Sequence, residues 1–131
     1  MFSDKQYLSS KTGSEGESLA REYLEHEGYK FVEQNFRRTF GEIDLIMIDK
    51  NGILCFVEVK TARGKALQAR DYLRASKIDK LLKICSYYAN RFKDVSPSGE
   101  WRMDALFINY DKEKNTSEIE HVKNILADRP Y

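Results

Sequence analysis

Gly41-Glu42-Ile43-Asp44-Leu45-Ile46-Met47-Ile48-Asp49-Lys50-Asn51-Gly52-Ile53-Leu54-Cys55-Phe56-Val57-Glu58-Val59-Lys60 is the stretch on which the fold turns. Its two outer runs are dense in β-branched, aliphatic and aromatic residues, the composition of strands covered on both faces. The central Asp49-Lys50-Asn51-Gly52 is a hairpin signal. Two antiparallel neighbouring strands are therefore predicted. Three charged residues, Asp44, Glu58 and Lys60, interrupt their apolar runs.

Register decides whether those charges meet. A two-residue Asn51-Gly52 turn would pair Lys50 with Ile53 and leave Asp44 pointing away from Glu58. A three-residue loop, Lys50-Asn51-Gly52, with Gly52 in the left-handed conformation, pairs Asp49 with Ile53 and Asp44 with Glu58. Side chains then alternate with period two, so Lys60 shares the face of Glu58, and Ile46, Ile48, Leu54 and Phe56 continue that face as core. The three-residue register is the one predicted.

Adjacent carboxylates repel, and burial raises the cost of ionising both unless a cation intervenes. Lys60 supplies one positive charge. A hard divalent ion, magnesium or manganese, would supply the rest, with oxygen ligands from Asp44, Glu58 and the carbonyl of Val59. Such a site suits phosphodiester hydrolysis, because the ion neutralises phosphate and acidifies a bound water while the ammonium orients that water or stabilises developing charge. The plain alternative is a structural ion pair between Lys60 and either acid.

The sequence around this hairpin predicts the remaining elements. Ser14-Glu15-Gly16-Glu17 has capping-box spacing and opens a helix with Leu19, Ala20, Tyr23 and Leu24 inward, ended by Gly28. Glu17 and Ala20 share a side of this helix, so Glu17 can reach the sheet edge near Asp44 as an auxiliary acid, or serve only as the capping acid. A strand follows over residues 30–38. Residues 61–74 read as a mobile loop beside the site. A helix over 75–93 carries Ile78, Leu81, Leu82, Cys85, Ala89 and Phe92 as its core stripe, with Lys77, Lys80, Ile84, Tyr87 and Arg91 on another. Residues 101–110 return as a strand, parallel to the hairpin's second strand through a crossover, and 118–123 as an edge strand. The expected fold is α/β: a mixed central sheet, an antiparallel meander plus a crossover strand, flanked by helices. Trp101 and the Tyr87-Tyr88 pair read as core packing, with at most one of the two tyrosines exposed.

With 131 residues, 41% hydrophobic, the chain is expected to form one domain spanning 1–131. The first twelve residues lack the apolar run of a signal peptide, and no stretch has the length of a membrane span, so a cytoplasmic protein without membrane contact is expected. Cys55 and Cys85 read as small buried hydrophobes. His26 and His121 lack a second ligand at zinc spacing and are left out of the metal site.

A net charge of only +1 conceals an uneven distribution. Residues 60–93 hold ten basic side chains against Asp71 and Asp79, a local balance of +8, which leaves −7 for the remainder. A basic segment beginning at the proposed site is what attraction to a phosphate backbone requires, although a solvated helix face has the same composition. Arg63, Lys65, Arg74, Lys77 and Lys80 are the candidate contacts.

The chain also resembles the YraN-like family of bacterial proteins within the PD-(D/E)xK nuclease superfamily, which includes Holliday junction resolvases. The matching pieces are Gly16-Glu17-x-x-Ala20-x-x-Tyr23-Leu24, Gly28-Tyr29, Asn35, Gly41-Glu42-Ile43-Asp44-Leu45-Ile46 and Phe56-Val57-Glu58-Val59-Lys60, with thinner matches at Lys77, Lys80, Arg102-Met103-Asp104, His121 and Asn124. Met103 stands where the family tends to have an aromatic. The resemblance implies a restriction endonuclease-like core and a magnesium- or manganese-dependent endonuclease acting on nucleic acid, DNA foremost. Asp44, Glu58 and Lys60 would then be catalytic, with Glu17 auxiliary and Lys77 a phosphate contact. It also implies a homodimer as the assembly to test. Two other expectations compete: a module that binds branched or single-stranded nucleic acid without cutting, and a structural protein whose charges are only ion pairs.

Overall fold

The computed structural model describes residues 13–63, 75–111 and 113–126. Helix α1 (Gly13–His26) is followed by strands β1 (Lys30–Arg38), β2 (Gly41–Ile48) and β3 (Leu54–Arg63), helix α2 (Ala75–Arg91), a short 3-10 turn (Lys93–Val95), and strands β4 (Trp101–Asp111) and β5 (Thr116–Val122). The strands form one sheet in the order β1-β2-β3-β4-β5. All neighbours are antiparallel except β3 and β4, which are parallel. Since a parallel pair needs a long return connection, the passage from β3 through α2 to β4 is what the topology requires.

The hairpin adopts the three-residue register. The Asp49 N–H donates to the Ile53 carbonyl at 2.9 Å and the Gly52 N–H to the Asp49 carbonyl at 3.1 Å. Gly52 has φ +80°, a conformation that a β-carbon penalises. Cross-strand pairs then run from Ile48↔Leu54 to Leu45↔Val57. The Asp49 carboxylate stiffens the turn by accepting the N–H groups of Asn51 and Ile53, at 2.8 and 3.0 Å.

Each face of the sheet carries one helix, which explains why β2 and β3 read as nearly continuous apolar runs. On one face α1 buries Leu19, Ala20 and Leu24 against Leu45, Met47, Cys55, Val57, Leu106 and Ile108. On the other, α2 buries Ile78, Ile84, Cys85 and Tyr88 against Phe36, Ile46, Leu54, Phe56, Met103 and Phe107. Gly28, at φ +96°, closes α1 with two terminal bonds: its own N–H to the Glu25 carbonyl and the Tyr29 N–H to the Leu24 carbonyl, both 3.0 Å. Among the described residues, no helix is long and apolar enough to cross a membrane.

Three boundaries or faces differ from the sequence reading. Strand β3 continues to Arg63 because β4 pairs with it residue for residue as far as Tyr110, so residues 61–63, expected to open a loop, are strand. Residues 64–74, the rest of that segment, lie outside the described residues. Ile84, assigned to the polar stripe of α2, is fully buried. The helix packs on β2 beside Gly41, where even a β-carbon would make only ordinary contact with Ile84, and this packing widens the buried arc beyond the stripe that spacing alone suggested. The edge strand begins at Thr116, two residues before the expected start, paired with Asp111. Tyr88 is buried and Tyr87 half-buried, and Trp101 packs edge-on to Phe56 at 5.4 Å, as expected of core aromatics.

Candidate functional site

Beyond Leu45↔Val57 the pairing between β2 and β3 changes character. The Val59 N–H donates to Asp44 Oδ2 at 2.8 Å, so a carboxylate stands where a backbone carbonyl would continue the ladder. Strand β3 remains paired with β4 on its other side. The result is a cleft of about 700 Å³ bordered by Glu17 of α1, Asp44 of β2, Glu58 and Lys60 of β3, and Lys77 and Lys80 of α2. Six candidate residues from four elements thus converge on one opening, and the placement of the α2 lysines against the hairpin pair is what the sequence could not give.

Glu58 is the hub. Its Oε2 lies 2.7 Å from Lys77 Nζ and 3.3 Å from Lys60 Nζ. Burial works to raise its pKa, but the hydrogen bond and charge of Lys77, with Lys60 behind them, hold it below the usual carboxylate range. Asp44 goes the other way. Burial first, and then the negative charge of Glu58, push its carboxyl up to about 8 despite the Val59 N–H, and the two carboxyl groups are hydrogen-bonded to each other. These opposite directions, with the hydrogen bond between the two carboxyl groups, favour a proton shared within the pair. Burial opposes the charge of Lys60, but its hydrogen bond with Lys77 and then the charges of Glu58 and Asp44 outweigh burial and raise its pKa.

Glu17 is half-buried, its pKa raised chiefly by burial and partly offset by a hydrogen bond from Asn35. Asn35 stands at φ +56°, a left-handed conformation that asparagine tolerates. Sequence reasoning noted Asn35 without giving it a role, and it read Lys77 only as a phosphate contact. The structure makes one a partner of Glu17 and the other the nearest counter-charge of Glu58. Arg63 ends β3, with its side chain outside the described set, and Lys65 and Arg74 lie outside the described residues altogether.

A second polar cluster lies toward the hairpin turn, and it separates structural from reactive charge. Asp104 on β4 is completely buried. It accepts from Arg102 Nε at 3.0 Å and from the Asn124 N–H at 2.8 Å, and contacts His121 Nε2 at 2.8 Å. Arg102 also bonds Asp49 at 2.7 Å and the Tyr29 hydroxyl at 3.0 Å. Burial opposes ionisation of Asp104, yet His121, Arg102 and the Asn124 N–H keep its pKa low. Every acceptor here is engaged, so this cluster ties β4, β5 and the hairpin together. In the sequence its members Arg102, Asp104, His121 and Asn124 stood out only as thin matches to the family resemblance.

Among the described residues, no three or more His, Cys, Asp and Glu side chains converge as a metal cage. The donor set at the cleft is the Asp44–Glu58 pair. Both cysteines are buried free thiols.

Comparison with known proteins fits the pattern of these residues. The profile of the uncharacterised protein family UPF0102 matches residues 16–108. A UPF0102 protein of Caldanaerobacter subterraneus subsp. tengcongensis is 39% identical over 123 residues, covering 89% of this chain and 96% of its own. One from Thermodesulfovibrio yellowstonii is 41% identical over 116 residues, covering 86% and 92%. One from Desulforamulus reducens is 31% identical over 118 residues, covering 87% and 93%. The matched span runs from the helix that carries Glu17, through the Asp44 and Glu58 strands, to the core of β4, and the chain belongs to the UPF0102 family.

Proposed function

We propose that this protein is a metal-dependent nuclease that hydrolyses phosphodiester bonds of DNA within the chain, on a restriction endonuclease-like core. The observation that carries the reading is the hydrogen-bonded Asp44–Glu58 carboxyl pair, with Lys60 and Lys77 both against Glu58, in an open cleft. A carboxylate pair that burial forces to retain a proton is a poor structural feature, because it stores repulsion. It is a good receptor for a hard dication, which would replace the proton with two charges. Asp44, Glu58 and the Val59 carbonyl are oxygen donors of the type that magnesium or manganese takes, so the residues present fit such an ion.

When bound, the ion would supply charge neutralisation for the phosphate and acidify a water molecule. The chain's own residues do the rest. The Val59 N–H fixes the Asp44 carboxylate at the mouth of the split ladder. Lys60, held as an ammonium, is placed to donate toward an attacking water or a phosphoryl oxygen, where charge develops in the transition state. Lys77, held against Glu58, borders the cleft with Lys80, and the two would serve as phosphate contacts. Glu17, with its raised pKa, is an auxiliary acid near the same opening.

A panel of single-stranded, duplex, flapped and branched DNA, incubated with magnesium or manganese, tests this. Wild type should cut at least one substrate, and Asp44→Asn and Lys60→Ala should lose activity by about 100-fold or more. Equal cleavage by all three would reject these roles. Salt-sensitive binding without cleavage under any metal would favour a non-catalytic binding module instead.

A further inference from the structure

The two-residue turn between β1 and β2 places a phenylalanine at its tip. Phe40 is half-buried and borders the cleft, together with Lys80. Its ring stands 5.3 Å from that of Tyr87 of α2, nearly perpendicular to it, and the Lys83 ammonium sits over the Phe40 ring 5.5 Å from its centroid. Arg38, at the other side of the turn, stacks over Phe36 at 4.3 Å and reaches 5.7 Å from Tyr87. Arg38, Lys80 and Lys83 are all exposed.

These residues form one ridge that starts at the cleft. Positions 80, 83 and 87 recur at three- and four-residue steps, so they lie along one side of α2 and span roughly 10 Å at 1.5 Å per residue. Apolar rings set among cations, on a surface leading into a cleft that holds ammonium groups, have the composition of a single-strand track. Cations follow the phosphates while a ring face accepts a base. A duplex would not use the rings, because its bases are stacked on one another. The Phe36, Tyr88 and Phe92 rings behind the ridge pack against one another and hold it rigid.

We propose that Phe40 is a stacking platform for an unpaired base at the mouth of the cleft, with Arg38, Lys80 and Lys83 following the phosphates of a single-stranded segment. This rests on the nuclease reading of the cleft and specifies its substrate as nucleic acid that is unpaired at the point of entry.

The test is binding without turnover. A 12-nucleotide single strand carrying 2-aminopurine, and a duplex of the same length, are titrated in EDTA with wild type, Phe40→Ala, Phe40→Trp and the double variant Arg38→Gln/Lys83→Gln. Base stacking of about 1–3 kcal/mol corresponds to roughly 5- to 150-fold in affinity. Phe40→Ala should weaken single-strand binding within that range and relieve 2-aminopurine quenching. Phe40→Trp should preserve both. The double variant should weaken binding and flatten its salt dependence, and duplex affinity should be indifferent to Phe40. Single-strand binding and quenching that are equal in Phe40→Ala and wild type would overturn the inference, as would equal losses for duplex and single strand. Cleavage by wild type but not by Asp44→Asn would leave the nuclease reading standing in that case. If instead no variant or wild type cuts DNA, a Phe40-dependent single-strand affinity would still uphold the ridge.

Discussion

Lys77 of α2 lies closer to Glu58 than Lys60 does, at 2.7 against 3.3 Å, although Lys60 is two residues from Glu58 on the same strand. The nearer counter-charge thus comes from a different layer of the fold. Glu58 is a tie between α2 and the sheet as well as part of the candidate site.

Removing that tie should show in the acid limb of stability. Glu58 has a lowered pKa, so its ionised form contributes stability above the ordinary glutamate range, and that contribution fades as pH falls through the native value. Lys77→Met should move this acid-side loss to higher pH. Because the lysine is about one-third exposed, the cost at pH 7 should be modest, about 1 kcal/mol. Thermal melts of metal-free protein from pH 3 to 8 check it, and superimposable curves would deny Lys77 its role.

Asp44 should behave in the opposite sense. Its native pKa is raised, so the native state holds a proton that the unfolded chain releases above about pH 4. The stability tied to that proton is full below the unfolded value and is lost as pH rises toward 8. Asparagine mimics the protonated acid and still accepts from Val59. Asp44→Asn should therefore raise the melting temperature of metal-free protein at pH 7–8, by the equivalent of about 1–3 kcal/mol, with the gain shrinking toward pH 4. A variant less stable than wild type at pH 8 would contradict this.

Much of the site was legible because strand periodicity and turn chemistry are local. Gly52 fixed the loop length, loop length fixed register, and register put Asp44 beside Glu58. What was not legible depends on how layers cross. Ile84 was misassigned because its burial follows from where α2 meets β2 near Gly41, a residue 43 positions earlier. Lys77 could not be matched to Glu58 from helical spacing, which gives a face of α2 without saying what that face meets. The Asp104 network draws on Tyr29 after α1, the hairpin turn, β4, β5 and Asn124 beyond it, so no window of sequence contains it.

Gly16 tests how tightly α1 must approach the site. A β-carbon there would clash with Thr61 Cγ2, on the strand that carries Lys60. Gly16→Ala should push α1 away from β3 and carry Glu17 with it, at a cost of about 1–3 kcal/mol despite alanine's better helix propensity. Urea unfolding reads the loss. A stabilised variant would mean that Thr61 simply rotates aside.

The Asp104 cluster should matter for stability and leave the cleft's chemistry alone. Asp104→Ala strands Arg102 and His121 without their shared acceptor, and should cost about 3–5 kcal/mol. At a temperature where the variant remains folded, its divalent-ion affinity should match wild type. A selective loss of ion binding in a folded variant would place Asp104 in the functional site instead.

The central claim is that Asp44 and Glu58 exchange their shared proton for a divalent cation. Calorimetric titration of manganese at pH 7, repeated in buffers of different ionisation enthalpy, tests it most directly. The expected result is saturable binding to wild type with release of about one proton per ion, and loss of that binding in Asp44→Asn and in Glu58→Gln. Manganese that fails to bind wild type, or that binds all three proteins alike without proton release, would contradict it.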